Sequence, residues 1–178
     1  MNESLTIGSF LMISDDGTTY KILDDIVEYP DMGSSPESVD VTNLSDAQMR
    51  NIMGLQQMDV LEFPVGFRPD RFAIEKQLMA SKATKYFALV FGGTENADMT
   101  ITPTGSLGVL KWSGQLAARI AGAGVNAKRG GTISVSVSSQ MPFYANATAA
   151  GITIGDGYYT PSGTNNGSTG TGSTGTGN

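Results

Sequence analysis

Apolar and polar positions near the start of the chain read as strands. "SFLMIS" over 9–14 and "TYKILDDIVEY" over 19–29 are separated by Asp15, Asp16 and Gly17, a spacing that predicts a hairpin with Asp16-Gly17 in its turn. In "VLEFPVGF", 60–67, Leu61, Phe63, Val65 and Phe67 alternate with Glu62, Pro64 and Gly66, the period of a half-buried strand. Pro64 has no N–H to give a ladder, which predicts an edge strand or a bulge. Between these segments lies "PESVDVTNLSDAQMRNIMGLQQM", 36–58: strand-like residues, an N-cap signal, then a short helical pattern. The connection is far longer than two neighbouring strands require.

One helix is predicted over 70–82, "DRFAIEKQLMASK", with Asp70 after Pro69 as N-cap and with Ile74–Leu78 and Phe72–Met79 at helical spacing. Arg71, Glu75 and Lys82 interrupt its apolar arc, so it is expected to pack partly exposed on a sheet. Strands follow at 85–91, 108–122 and 132–138. Gly108, Gly114 and Gly122 outweigh the helix propensity of the middle segment, and Trp112 is expected in the core. The pattern predicts a mainly β, α+β domain: about six strands, two packed antiparallel sheets forming a sandwich or barrel, one flanking α-helix, and a long inter-strand arm over 31–58. The domain spans 1–159. Residues 160–178 are a low-complexity Gly/Ser/Thr segment, expected to be a solvated end or to lead, in a longer product, to another domain.

Composition narrows the chemistry. The chain has 178 residues, no Cys and no His, which removes disulfides, thiol and imidazole catalysis and the commonest metal ligands. The first residues lack a basic stretch ahead of an apolar one, so neither a signal peptide nor a membrane span is expected. Net charge is -6, unevenly spread: residues 1–62 carry 12 acids against Lys21 and Arg50, and the rest carries 5 acids against 9 bases. Either the two halves are differently solvated faces, or one face complements another on an identical copy. Lys128-Arg129 alone is too small a basic cluster for tight nucleic-acid binding.

No catalytic constellation emerges. Asp24, Asp25 and Glu28 are the densest carboxylates, a residue type that serves glycoside hydrolysis or binds Mg²⁺ and Ca²⁺. Neighbours on a strand point to opposite faces, however, so Asp24 and Asp25 are not expected to share a site. "DDG" and "DGTT" lack the later ligands of a calcium loop. "GVNAKRGG" lacks the strand and helix a phosphate loop needs. The nine methionines read as core and loop filler. No enzyme activity, cofactor or metal is expected.

The order of segments carries a resemblance. Gly33, Pro36 and Glu37 lead to Val41-Thr42, then Leu44, Ser45 and Asp46, then Ile52, Gly54 and Leu55, and later Gly122, Gly124, Val125 and Asn126. Over roughly residues 5–145 this resembles the major tail proteins, or tail tube proteins, of long-tailed, siphovirus-type bacteriophages. The motifs are short, and their order carries more than any one of them. The resemblance implies a virion tail protein, made and assembled in the host cytoplasm, that forms stacked hexameric rings with itself and meets tape-measure, distal-tail and terminator proteins, without membrane insertion. In it, Gly33, Pro36, Glu37, Val41, Thr42, Leu44, Asp46, Ile52, Gly54 and Leu55 belong to an arm reaching the adjacent ring. DNA would pass through the lumen unbound, because carboxylates repel a duplex carrying one charge per ~1.7 Å. Asp24, Asp25, Glu28 and Glu62 are the lumen candidates. An inner-tube subunit of a contractile injection or type VI-like secretion machine shares the same expectations. A carbohydrate-binding or hydrolytic β domain is the remaining alternative, which binding of a sugar or Ca²⁺ by a monomer would favour.

Overall fold

The computed structural model describes residues 8–33, 36, 38–43, 45, 48–53, 60–122 and 128–161. Strands β1 (Ser9–Ser14) and β2 (Thr19–Asp24) form the expected hairpin. Asp16 closes its turn, accepting hydrogen bonds from the Thr18 and Thr19 amides at 2.9 and 3.1 Å and from the Ser14 and Thr18 hydroxyls. The Thr18 hydroxyl and these other donors hold the Asp16 carboxyl well below the usual range. Gly17 takes the left-handed φ of 75° the turn requires.

After two short strands, β3 (Ser38–Asp40) and β4 (Asn51–Met53), come β5 (Leu61–Gly66), helix α1 (Pro69–Ser81), β6 (Lys85–Glu95), β7 (Ile101–Gly114), β8 (Leu116–Ile120), β9 (Gly130–Val135), β10 (Phe143–Tyr144) and β11 (Thr153–Tyr158). The described residues hold more strands than the apolar pattern predicts: β3, β4 and β10 are only two or three residues long, the expected strand over 108–122 divides into β7 and β8 in different sheets, and β11, "TIGDGY", lacks an apolar alternation. The large sheet has the order β10-β7-β6-β1-β2-β11, and the small sheet β5-β9-β8. All pairings are antiparallel except β11 with β2.

The two sheets pack face to face, and the fold is mainly β with one helix among the described residues. Between them lie Leu11, Ile13, Phe63, Phe87, Leu89, Trp112, Ile133 and Val135. Trp112 sits between Phe63 and Phe87, with ring centroids 6.4 and 6.1 Å away. The other face of the large sheet is covered as well: Met12, Tyr20, Ala88, Val90 and Val109 pack with Ala150 and Ile152. This double burial explains why β1 is apolar on both sides from Leu11 to Ile13. As Pro64 predicts, β5 is an edge strand. Its outer side meets residues 26–27, where the Pro64 carbonyl accepts the Val27 amide at 2.8 Å, a contact needing no N–H from proline.

Three local expectations are corrected. The second strand ends at Asp24 rather than running to 29, because Asp24 turns inward to an ion pair. Helix α1 begins one residue earlier: Pro69 occupies its first turn and Arg68, extended and without a side-chain cap bond, is the N-cap, leaving Asp70 inside the first turn. Its fully buried residues are Arg71, Glu75 and Leu78, whereas Phe72, Ile74 and Met79 are only half-buried.

Candidate functional site

The described residues of the connection from 31 to 58 include a short hairpin. Strands β3 and β4 pair only with each other, Val39 opposite Ile52. Asn51–Met53 is therefore strand where the sequence suggests helix. The hairpin closes through Asp40, Thr42 and Arg50: the Asp40 carboxylate accepts the Thr42 amide at 2.8 Å, and the Thr42 hydroxyl oxygen accepts the Arg50 amide at 2.9 Å. The Thr42 hydroxyl, donating to Asp40, depresses that carboxyl. Val41 adds a backbone bond to Arg50.

No described residue from 30 to 60 is buried. Yet, among the described residues, half of the twelve exposed large apolar side chains lie in or beside this segment: Val27, Val39, Met49, Ile52, Met53 and Val60. Apolar residues facing water in one stretch of the chain are candidates for a contact. A two-stranded hairpin without a covering layer is at best marginal by itself. Of the arm residues that the resemblance names, Gly33, Thr42 and Ile52 are exposed and Pro36 and Val41 half-buried; Glu37, Leu44, Asp46, Gly54 and Leu55 lie outside the described residues.

The four lumen candidates separate into two groups. Glu28 and Glu62 are exposed and line one shallow depression of about 330 Å³ with Tyr29, Pro30, Pro64, Arg119 and Thr132. Glu62 pairs with Arg119 at 3.3 Å. Register puts Glu62 and Pro64 opposite Ser134 and Thr132, and those opposite Ala117 and Arg119. The outer face of the small sheet is thus small and polar.

Asp24 and Asp25 go elsewhere. Asp24 is only 3% exposed and meets Arg68 Nη2 at 2.7 Å, so its placement as an open lumen carboxylate is corrected: it is an internal ion-pair partner. Asp25 is exposed but tied, to Arg68 Nη1 at 3.2 Å and to the Tyr158 hydroxyl, which donates at 2.8 Å. One guanidinium therefore joins the two neighbours that strand alternation would separate, because the strand ends between them. Buried Glu75 on α1 hydrogen-bonds Asp24, and its carboxyl is pushed up to about 7, mainly by burial and then by the Asp24 charge. The sequence marks Glu75 only as a charge interrupting the helix's apolar arc; its partner lies on a distant element and is not legible there.

Among the described residues no three His, Cys, Asp or Glu side chains form a metal-ligating group, and no helix is long and apolar enough to cross a membrane. No protein-family model matches the chain, and no curated protein matches it. Among solved structures, the chain is similar to the sheath/tube terminator, in the extended state, of the extracellular contractile injection system PVC: TM-score 0.56, 10% identity, over 82% of this chain and 99% of that one. What this chain shares with that terminator is its fold.

Proposed function

We propose that this chain is a structural subunit of a phage-tail-like tube, self-assembling as stacked rings whose contacts include the 31–58 arm. The observation that carries the reading is the β3–β4 hairpin, which presents Val39, Ile52 and Met53 to solvent and, among the described residues, pairs with no other strand. Apolar side chains on a two-stranded projection gain a stable environment when a second copy covers them. The acidic first third and the basic remainder supply complementary faces for head-to-tail stacking.

The likeness to a sheath/tube terminator, complete over almost all of that chain, favours a second reading, in which the subunit forms a closing ring rather than an extending tube. Negative-stain electron microscopy of concentrated protein distinguishes them. Tubes of variable length are expected for the tube subunit, and discrete rings that do not stack for a terminator. A particle population that stays monomeric at every concentration would remove both.

In the tube reading, the outer face of the small sheet is the side facing DNA, with Glu28 and Glu62 its carboxylates. Replacing both by Lys is expected to leave assembly intact and to create duplex binding by the tubes. That binding weakens steeply as salt rises, since it comes from released counterions. Filter binding of short duplexes at low and high salt checks this; tubes of the variant that bind no DNA at low salt would place this face away from the lumen.

A further inference from the structure

Charged side chains at the start of α1 and at the end of β2, with Asp24, Arg71 and Glu75 buried among them, converge on β11. Arg68 grips Asp24 and Asp25, and Asp25 accepts the Tyr158 hydroxyl. Arg71, itself buried and beside the exposed Asp70 at 3.7 Å, donates from Nη1 to the Tyr159 carbonyl at 3.0 Å. The two guanidiniums lie over the Tyr158 ring, 4.6 and 5.1 Å from its centre. Behind them Glu75 shares a hydrogen bond with Asp24, while Glu75 Oε1 and Arg68 Nε have no partner among the described residues. Strand β11, held here, is the one parallel strand among the described pairings and covers the outer edge of β2.

We propose that the Asp24–Glu75 carboxyl pair, with Arg68 and Arg71, is a proton-operated latch on β11. A hydrogen bond between two carboxyls needs one proton. With Glu75 protonated, it donates to the Asp24 carboxylate, and the arginines stay on Asp24, Asp25 and the Tyr159 carbonyl. Once Glu75 is ionised, two buried carboxylates face each other and Glu75 competes for Arg68 and Arg71. The guanidinium drawn to Glu75 is one that β11 loses. The Tyr159 hydroxyl, donating to Asp15 at 2.7 Å beside Lys85, is a second tie that this proton leaves untouched. The opening is therefore local: it frees β11 and bares the β2 edge, leaving the core packed.

The sign follows from Glu75 holding its proton more tightly when the latch is closed, with a value of about 7 against its ordinary 4.5. Closure is tightest below about pH 4.5 and is lost as pH rises towards 7. Hydrogen–deuterium exchange of the full chain at pH 5 and pH 8, corrected for intrinsic exchange, is expected to show protection of the β11 and Tyr159 amides falling by roughly tenfold or more. Protection of β1 and β6 stays unchanged. Glu75→Gln, which keeps a donor and cannot ionise, is expected to retain the high protection at both pH values. Equal β11 protection at both pH values in the parent chain, a loss spread evenly over every strand, or a pH dependence that persists in Glu75→Gln would overturn the proposal.

Discussion

A variant carrying Val39→Asp and Ile52→Asp is expected to fold as the parent does and to form no assemblies. The two residues stand opposite each other in the β3–β4 register and are 45% and 55% exposed, and among the described residues neither strand pairs with another. Changing exposed residues away from a core alters stability by about 0.5 kcal/mol or less, so the thermal midpoint is expected to stay within about 2 °C. Two carboxylates forced into a closed apolar contact cost several kcal/mol. Each ring junction repeats that penalty, so assembly fails as a whole. Sedimentation velocity and thermal melts of parent and variant read both effects. A variant that assembles like the parent would show that the hairpin is not the contact, and one that unfolds would show that it belongs to the core.

Gly114→Ala is expected to be the most damaging single methyl among the described glycines. The polypeptide leaves the large sheet at the end of β7 and enters the small sheet at Leu116. At that corner an added Cβ would lie 1.7 Å from the Ser136 carbonyl oxygen and 2.9 Å from its carbon. These are backbone atoms, and they cannot retreat freely. The Ser136 amide is bound to the Gln115 carbonyl at 2.9 Å, and the Ser138 amide to the Ser113 carbonyl at 2.8 Å. Relief therefore requires breaking the corner that sets one sheet over the other. A loss of ~4 kcal/mol or more is expected, equivalent to a fall in Tm on the order of 10 °C. Calorimetry of the purified variant measures it; a fall below about 3 °C would mean that the corner has slack.

Which features are readable from sequence depends on how local their causes are. The β1–β2 hairpin rests on Asp16 and Gly17, whose bonds run to Ser14, Thr18 and Thr19, all within the same short stretch. Pro64 announces an edge because its missing N–H is a property of the residue itself. The start of α1 was also locally written: Pro69 marks the first helical position and makes Arg68 the cap, a stronger signal than the side chain of Asp70. By contrast, Arg71 and Glu75 read only as charges interrupting an apolar arc, and what they meet there, the Tyr159 carbonyl and Asp24, is distant in sequence. The same distance hid Asp24, which reads as an open carboxylate. Gly114 reads only as a turn, since the atom that excludes any other residue belongs to Ser136. The arm was legible as an excess of chain, and its hairpin was obscured by a helix-like spacing in a segment too exposed for spacing to decide.

The central claim is that the arm meets a second copy, and the absence of cysteine from the chain makes a direct test available. Ile52→Cys carries a single thiol, which accepts a photo-crosslinker without competing sites. Mixing light and ¹⁵N-labelled protein, irradiating and sequencing the adducts by mass spectrometry separates contacts within a chain from contacts between chains. The account predicts adducts of twice the 18.6 kDa subunit mass, with peptides pairing light and heavy isotopes. Adducts that join position 52 only to peptides of its own chain, under conditions in which the parent protein assembles, would contradict it.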